Sequence, residues 1–533
     1  MRSRTVPGAA LIVVLSAVVG GVFGGSVMGA QDRTFERQRM FTAALAAIER
    51  EYAEPVDSAQ LVYGSIDGML RTLDPHSSFQ DPKAYAQMRE RQEGHYFGIG
   101  ISIQLIGGDV TVTSLFEGSP AYRAGIRRGD IIARVGKEVA DGWTTEDVVR
   151  RVKGPKGTSV NIGMRRPGVE KEIDLTVERD EINIVTVRTS FMIAPGTGYV
   201  RLQDFMETSD AEMSAALGKL KTAGMQRLIL DLRDNPGGLL DQAIAIANRF
   251  LKRGQMIVYT KGRLARSDEK YIAEETGDYT TIPLIVLTSR GSASASEIVT
   301  GAMQDHDRAI VVGETTFGKA LVQSVFNVSN GAGLLLTSGR YYTPSGRMIQ
   351  RPWDGAFDEY LTYSLRDQNA NRPHPASELK HTDSGRVVYG GGGIEPDHFI
   401  PGPVEGFNPS RFSRIVLGRG EFIGFARRFT REGDNRPAAR SAAHTVARGW
   451  TLTDAIVEEF KQFLIKDGVK IDEEAFKTDL PFIKAMLRYE VDGDLFGNEE
   501  ARKNLSKVDP QVQASLGYFD EAKRLLDASG KSH

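Results

Sequence analysis

Cysteine is absent from the 533 residues of this chain, which excludes disulfide bonds and thiolate chemistry and is compatible with either redox compartment. Histidine is scarce, with eight copies, and no two of them have the spacing of metal ligands. Neither sign of charge is in excess, because 67 lysines and arginines balance 69 aspartates and glutamates to a formal net charge of −2. This balance argues against nucleic acid as a general partner. The length and a hydrophobic content of 41% predict two to four folded domains.

A long uncharged run, largely apolar, occurs at the N-terminus from Thr5 to Gln31, directly after Arg2 and Arg4. This pattern is typical of a signal peptide or of an uncleaved signal anchor. The run is long enough to span a bilayer, although its glycines weaken a helix and no Ala-x-Ala cleavage site is evident. We therefore expect an exported protein, periplasmic or otherwise extracytoplasmic, with residues 1–31 either cleaved or anchored in the cytoplasmic membrane.

A serine-rich turn follows a short apolar segment in the middle of the chain. Residues 284–289 have the pattern of a buried strand, and residues 296–306 carry apolar side chains at helical spacing. Ser292, Ser294 and Ser296 therefore stand at a strand-to-helix turn. A hydroxyl at such a turn is exposed, and the free N–H groups of the helix can stabilise an oxyanion. Spacing alone does not choose among the three serines.

Lys319 follows this turn and lies among apolar neighbours in residues 317–322. A lysine that acts as a base must be neutral, which at pH 7 requires about 4 to 5 kcal/mol of destabilisation of its charged form. Desolvation in an apolar pocket provides such destabilisation, and the amide of Gln323 is placed to orient the amine. The alternative is that the glycines and serines fill a tight turn and that Lys319 is a surface lysine. Spacing alone does not exclude this alternative.

Further segments, in order along the chain, resemble the carboxyl-terminal processing peptidases, also called tail-specific proteases. Besides the serine and lysine segments and a PDZ-like stretch, they comprise Leu73–Ser77, Gly198–Leu202, Leu230–Gly238, Tyr342–Arg347 and Gly391–Asp397. The resemblance covers roughly residues 35 to 400. It implies that Ser294 is the nucleophile, Lys319 the general base and Gln323 the group that orients the lysine, and that no metal or cofactor is required.

Residues 94–180 resemble a PDZ domain. Gly98, Ile99, Gly100 and Ile101 form a glycine-rich loop whose successive N–H groups are suited to bind the terminal carboxylate of a peptide. A strand edge beside such a loop can pair with the peptide backbone. A glycine-rich turn alone is also compatible with a simple hairpin, but a predicted helix from Thr144 to Val152 is placed to line a groove. The expected ligand is a protein or peptide with an apolar C-terminus.

Residues 185–400 are predicted to form an α/β peptidase core of the ClpP or crotonase-like kind. Residues 228–233 have the pattern of a buried strand, which a turn and an amphipathic helix follow. The resemblance implies that this turn presents the backbone N–H of Gly237 or Gly238 to the substrate carbonyl, with the N–H of Ala295 as the second donor. The alternative is that the two glycines only permit a positive φ.

Helices are predicted on both sides of these domains. In residues 34–93, Phe41, Ile48 and Tyr52 fall on one helical face, whereas His76 belongs to a turn rather than to a catalytic group. The resemblance implies that this region can mediate dimerisation, so that a homo-oligomer is expected. Residues 402–533, the C-terminal extension, are predicted to be helical, with two apolar stripes that form either ordinary core or an interface for a subunit or adaptor protein.

Two functions remain open at this point. The first is a serine endopeptidase that cleaves exported proteins recognised by their C-terminal tails, and the second is a non-catalytic PDZ scaffold on a protease-like fold. The combination of Ser294, Lys319 and Gln323 favours the first, because a scaffold needs none of these side chains. Ser267 and Lys270 match the Ser-x-x-Lys pattern of penicillin-binding enzymes, but their setting is polar and the companion motifs are absent.

Overall fold

The computed structural model describes most of the chain, namely residues 35–116, 118–166, 169–328, 331–353, 360, 362–366, 373–433 and 446–529. The predicted signal segment, residues 1–31, lies outside the described residues. Among the residues that are described, no helix combines the length and the apolar character needed to cross a bilayer. The chain divides into two compact units, which are Met1–Pro82 with Val325–Leu336, and Lys83–Ser324 with Thr337–His533.

The first unit contains a helix α1 (35–51), a helix α2 (Ser58–Leu70) and a short strand β1 (Ser78–Gln80) that pairs with residues 333–335. Helix α2 begins after Asp57, whose carboxylate accepts the N–H of Ala59. The turn after α2 is organised by Asp74, whose Oδ1 accepts the N–H groups of His76 and Ser77 at 2.8 and 2.7 Å. The predicted role of His76 in a turn is therefore confirmed.

Two small sheets and three helices form the region with the PDZ-like sequence. Its elements are α3 (Pro82–Glu93), β2 (His95–Gly98), β3 (Ile101–Ile106), β4 (Asp109–Leu115), α4 (Pro120–Ala124), β5 (Ile131–Val135), β6 (Glu138–Val139), α5 (Thr145–Val152), β7 (Ser159–Arg165), β8 (Ile173–Glu178) and β9 (Asp180–Asn183). Strands β3, β4, β5, β7 and β8 form an antiparallel sheet in that order, β6 pairs with β5, and β2 pairs with β9. Helix α5 starts with a capping box between Thr144 and Asp147, which confirms the predicted helix.

The region predicted to be the peptidase core is built on a central sheet of mostly parallel strands. Its elements are β10 (Thr189–Ala194), β11 (Thr197–Arg201), α6 (Ser209–Thr222), β12 (Arg227–Asp231), α7 (Leu240–Asn248), β13 (Met256–Gly262), β14 (Lys270–Ile272), β15 (Leu284–Thr288), α8 (Ala295–Asp305), β16 (Ile310–Gly313), β17 (Leu321–Asn327), β18 (Gly333–Tyr342), β19 (Leu379–His381), β20 (Val387–Tyr389) and β21 (His398–Phe399). The central sheet has the order β10-β11-β12-β15-β16-β21, and only the β10–β11 pair is antiparallel. Strands β13 and β18 pair antiparallel in a second sheet, with Tyr259 opposite Tyr342.

The C-terminal extension is helical, as predicted. Its helices are α9 (Arg411–Gly418), α10 (Glu421–Gly433), α11 (Asp454–Lys466), α12 (Glu473–Thr478), α13 (Leu480–Phe496), α14 (Asn498–Ser506), α15 (Pro510–Ser515) and α16 (Phe519–Ser529). Phe422, Phe425 and Phe460 pack against one another in a core of its own, which includes the predicted apolar stripe of α11. Phe519 of the second stripe packs instead on the central sheet beside Tyr199. The central residues of both stripes, Phe460 and Phe519, are therefore buried within the chain, whereas flanking residues such as Ile456 and Leu525 are half-buried.

Strands β12 and β15 place two loops side by side. The strands are adjacent and parallel, with Leu228 opposite Leu284 and Asp231 opposite Leu287. Because the carboxyl ends of parallel neighbours lie at the same edge of a sheet, the segments that leave them start next to each other. After β12 comes the glycine turn (residues 234–238), and after β15 comes the serine turn (residues 289–294). This edge of the sheet is where the candidate site forms.

Candidate active site

The glycine turn and the serine turn are in direct contact. A Cβ atom added to Gly237 would lie 2.8 Å from the Cβ of Ser294, 2.8 Å from the backbone nitrogen of Ala295 and 2.7 Å from the carbonyl oxygen of Ala293. Distances this short leave no room for any side chain at position 237. The structure therefore brings together two segments that stand more than fifty residues apart in the sequence.

The three serines of the run have different surroundings. Ser292 and Ser296 are fully buried, and their hydroxyl groups donate to the carbonyl oxygens of Leu232 at 2.8 Å and Asn235 at 2.9 Å. Ser294 is only half-buried, and its hydroxyl donates to no acceptor in the part of the chain that the structure describes. Its φ of 54° is unusual for a residue with a side chain, and such backbone strain is common at functional turns.

Lys319 and Gln323 lie together, as the four-residue spacing predicted. The Nζ atom of Lys319 donates to Oε1 of Gln323 at 3.2 Å. Both side chains are half-buried, and Ala320 between them is completely buried. The lysine thus stands at the edge of the apolar interior, in contact with an amide oxygen.

One carboxylate joins the nucleophile segment to the lysine segment. Oε2 of Glu297 accepts the backbone N–H groups of Ser294 and Lys319, each at 2.8 Å. Oε1 accepts the N–H of Gly318 at 2.6 Å and the hydroxyl of Thr316 at 2.5 Å. Because the same oxygen holds the backbones of Ser294 and Lys319, Glu297 determines how far apart the two residues can move.

Burial raises the pKa of Glu297 to about 7, and the donors from Thr316, Lys319, Ser294 and Gly318 oppose this rise. All four groups that contact the carboxyl donate hydrogen bonds, so the ionised form fits the site and a protonated oxygen would face another hydrogen. The sequence analysis did not include Glu297 among the site residues. The signal was present, since a glutamate three residues after a helix-capping serine commonly accepts the N–H of that serine.

Tyr341 also connects the Ser294 and Lys319 segments, through their carbonyl groups. Its hydroxyl lies 3.1 Å from the carbonyl oxygen of Ser294 and also contacts the carbonyl oxygen of Lys319. Burial raises the pKa of Tyr341 well above its usual value, so its hydroxyl stays protonated and can donate. Nothing in the sequence around Tyr341 indicates this role, because the two carbonyl groups it contacts belong to distant segments.

The glycine turn supplies candidate donors for an oxyanion. The N–H of Gly237 is already bonded to Oδ1 of Asn235 at 2.9 Å. By contrast, the N–H groups of Gly238 and Ala295 have no acceptor among the residues that the structure describes. A Cβ at Gly238, whose φ is 148°, would lie 2.1 Å from the carbonyl oxygen of Phe205. Of the two glycines, Gly238 is therefore the one with an available N–H, and its conformation also requires glycine.

The PDZ-like loop, residues 98–101, connects β2 to β3. The carbonyl oxygen of Ile99 accepts the N–H of Ala121, and the carbonyl oxygen of Gly100 accepts the hydroxyl of Ser119 at 3.1 Å. In the described part of the chain, the N–H groups of Ile99 and Gly100 have no acceptor. Successive backbone N–H groups of this kind are suited to bind a carboxylate.

The alternative Ser-x-x-Lys pair lies in a different environment. Ser267 ends a short 3₁₀ helix, and Lys270 is exposed at the start of β14. A lysine base needs apolar surroundings that destabilise its ammonium form. This pair therefore lacks the setting that a lysine base needs.

No cluster of three or more histidine, aspartate or glutamate side chains in the described residues is arranged to hold a metal ion.

Comparison with known proteins identifies relatives of most of the chain. A family model described as peptidase family S41 matches residues 196–355, a PDZ domain model matches residues 111–166, and a model of the activating protease CtpB N-terminal domain matches residues 26–84. A carboxy-terminal-processing protease of Bartonella bacilliformis is 37% identical over 325 residues, which cover 60% of this chain and 74% of the relative. The chain belongs to the carboxyl-terminal processing peptidases.

Two further proteins illustrate the extent of the similarity. The carboxy-terminal processing protease CtpA of Bacillus subtilis is 32% identical over 352 residues, which cover 64% of this chain and 74% of the relative. A solved structure of a photosystem II D1 C-terminal processing protease is 31% identical and covers 58% of this chain and 89% of its own, with a TM-score of 0.34. As a member of this family, the chain is a serine peptidase of the C-terminal processing type, with a PDZ domain that binds protein or peptide substrates. The scaffold alternative is not favoured.

We expect Glu297→Gln to lower kcat by about tenfold to a hundredfold, because the amide N–H₂ group must face either the N–H groups of Ser294 and Lys319 or the donors of Gly318 and Thr316. The measurement is the steady-state rate of peptide cleavage, with the melting temperature recorded in parallel. Glu473→Gln is the matched control, since it removes an exposed ion pair with Lys461. An unchanged kcat in a folded Glu297→Gln variant would contradict the role assigned to this carboxylate.

We also expect Gly238→Ala to lower kcat by about a hundredfold or more, because the added methyl group collides with the carbonyl of Phe205 and displaces the N–H at position 238. Gly468→Ala is the control, because Gly468 also has a positive φ, 76°, but a Cβ there meets no atom within 4 Å. Both variants are measured on the same peptide. Equal effects of the two substitutions would show that backbone strain, and not the position of the donor, explains the loss.

Proposed function

We propose that Ser294 is the catalytic nucleophile of this peptidase, that Lys319 is its general base and that Gln323 orients the lysine. The observation that carries the proposal is the carboxylate of Glu297, which bonds the backbones of Ser294 and Lys319 through one oxygen. Three features support the choice of Ser294 over its neighbours: partial exposure, a strained backbone and a hydroxyl that donates to no described acceptor.

The reaction then proceeds in two halves. Lys319, as a neutral amine, takes the proton of the Ser294 hydroxyl while the oxygen attacks a backbone carbonyl of the substrate. The negative charge that develops on the carbonyl oxygen is stabilised by the N–H of Ala295 and by the glycine turn, through Gly238 or Gly237. The amine product leaves with a proton from Lys319, and water activated by the same lysine releases the acyl group from Ser294.

The PDZ domain presents the substrate. The carboxylate at the end of an apolar tail binds the N–H groups of the loop at residues 98–101, and the tail pairs with the edge of β3. A cavity of about 430 Å³ is lined by residues of this domain, Tyr96 and Lys153, and by residues of the core, which include Gln203 and Met206. Phe205, between the last two residues, donates its N–H to the carbonyl oxygen of Gly237 at 3.1 Å. This cavity supports a path from the tail-binding loop toward the glycine turn.

We also propose the domain boundaries, the fold type of the core, export of the protein and its oligomeric state. The domain boundaries are residues 34–93, 94–180, 185–400 and 402–533, and the core has the ClpP or crotonase type of α/β fold, which its parallel strands support. The N-terminal pattern supports export, with residues 1–31 as a cleaved signal or a membrane anchor. The exposed apolar side chains of α1, which include Phe41 and Ile48, support a homo-oligomer. Delivery of substrates by an adaptor protein remains part of the hypothesis.

The test compares wild type with Ser294→Ala and Lys319→Ala on an unfolded protein that ends in an apolar tail. Each substitution is expected to lower kcat/KM on the order of 10³-fold or more, because each removes a group that takes part in bond formation. Wild type is expected to cleave the same protein more slowly when its tail is charged. Cleavage is followed by gel electrophoresis and mass spectrometry of the products.

Ser267→Ala and Lys270→Ala serve as the matched controls and are expected to retain the activity of wild type. Loss of activity in these two variants, with Ser294→Ala still active, would transfer the catalytic role to the Ser-x-x-Lys pair. If wild type bound the apolar tail without cleaving it under any condition, the scaffold hypothesis would regain support.

A further inference from the structure

We propose that Asp509 and Gln511, in the C-terminal extension, position the glycine turn by holding the buried guanidinium of Arg233. The inference rests on the proposed function, because it assigns the glycine turn to stabilisation of the oxyanion. The three matched family models extend no further than residue 355, so they assign no role to the extension. The contacts of Arg233 connect the extension to the glycine turn.

Arg233 immediately precedes the glycine turn, and its side chain is only 3% exposed. Its Nε and Nη2 atoms donate to the carboxylate of Asp231 at the end of β12, with a shortest distance of 2.6 Å. The remaining nitrogen, Nη1, lies 2.8 Å from Oδ2 of Asp509 and 2.9 Å from Oε1 of Gln511. Half of the guanidinium is therefore held by the core and the other half by the C-terminal extension.

The two residues of the extension are themselves fixed in place. Oδ1 of Asp509 caps helix α15 by accepting the N–H groups of Gln511 and Val512 at 2.9 and 3.1 Å, which leaves Oδ2 for Arg233. The amide nitrogen of Gln511 donates to the carbonyl oxygen of Ile400 at 2.7 Å. Gly406 packs so closely that an added Cβ would collide with the carboxylate of Asp509. Neither side chain has space to turn away from Arg233.

A second ion pair connects the extension to the same turn. Glu405 accepts Nη1 of Arg201 at 2.9 Å and also contacts Arg502 of α14. Nη2 of Arg201 in turn lies 3.7 Å from Oδ2 of Asp234, the first residue of the glycine turn. Asp234 has a φ of 57°, so its backbone is strained and depends on its surroundings.

Arg233 and Asp509 are both buried, and this burial determines how a change at Asp509 affects catalysis. Burial disfavours the charge of Asp231, but Arg233 and Arg201 outweigh this effect and lower its pKa to about 2. If Asp509 lost its charge, Nη1 of Arg233 would be buried beside an uncharged partner, and the guanidinium would have to shift. Arg233 is joined through Asp234 to the donors that face the substrate carbonyl. A shift there weakens stabilisation of the transition state more than binding of the substrate.

The experiment uses the full chain and the variant Asp509→Asn. Asparagine retains the oxygen that caps α15 but replaces the oxygen at Arg233 by an N–H₂ group, so the cap is kept and the ion pair is lost. We expect kcat to fall by about tenfold or more with KM changed by less than about twofold, because the N–H groups of the turn act in the transition state. Gln511→Met, which removes one neutral acceptor, is expected to give a smaller decrease in kcat.

Asp472→Asn is the matched control. Asp472 caps α12 in the same extension by accepting the N–H of Ala475 at 3.0 Å, and it is exposed and pairs with no arginine among the residues that the structure describes. Its substitution is expected to leave kcat unchanged. The proposal is overturned if Asp509→Asn has the kcat of wild type, or if Asp472→Asn loses as much. If Asp509→Asn does not fold, Gln511→Met decides, and an unchanged kcat overturns the proposal.

Amide hydrogen exchange separates this proposal from the proposed function. Residues 235–238 are expected to exchange faster in Asp509→Asn than in wild type and in Asp472→Asn, whether or not the protein cleaves the peptide tested. If Ser294→Ala were as active as wild type, the proposed nucleophile would be wrong. The exchange result would still show whether the contact between Asp509 and Arg233 positions the glycine turn. If both the exchange rates and kcat of Asp509→Asn equalled those of wild type, the C-terminal extension would have no role in positioning the glycine turn.

Discussion

The site depends on one buried carboxylate, that of Glu297. The nucleophile candidate comes from the start of α8 and the lysine from the segment before β17, so hydrogen bonds between these segments must hold the two residues at a constant separation. Glu297 does so by accepting the N–H groups of both residues through one oxygen. Tyr341 adds a second connection on the carbonyl side of the same two residues. A carboxylate that is fully buried is stabilised only by such donors, so the backbone must close around it for the core to be stable.

The central sheet supplies the next level of organisation. Because β12 and β15 are parallel neighbours, the glycine turn and the serine turn leave the sheet at one edge and come into contact at Gly237. The side of the glycine turn nearer the C-terminal extension is held by charges rather than by apolar packing. Arg233 and Arg201 each bind a carboxylate of the extension, Asp509 and Glu405 respectively. A region beyond the matched family models therefore contacts the residues that adjoin the candidate oxyanion donors.

Local sequence patterns were sufficient wherever one segment carries the whole signal. The apolar run of β15 and the helical spacing of α8 predicted these elements within one or two residues, and the helix predicted from Thr144 to Val152 is α5. The patterns also predicted helices in the C-terminal extension, but not what covers them. The stripe with Phe519 packs on the central sheet of the same chain, and the stripe with Phe460 packs in the core of the extension. An amphipathic stripe shows that a helix has a covered face, whereas the identity of its partner depends on the tertiary fold.

The sequence by itself determined the family, the order of the domains, the serine run with its lysine and glutamine, and the turn with two glycines, because each of these is a property of neighbouring residues. Only the tertiary structure showed that Ser292 and Ser296 are buried, whereas Ser294, to which the family resemblance pointed, is half-buried. Only the tertiary structure showed that the N–H of Gly237 already has a partner, which favours Gly238 as the candidate donor. It also showed that Glu297 and Tyr341 each contact the backbones of Ser294 and Lys319, and that Asp509 contacts Arg233. Burial and hydrogen bonding decide these roles, and both depend on groups that are far apart along the chain and meet only after folding.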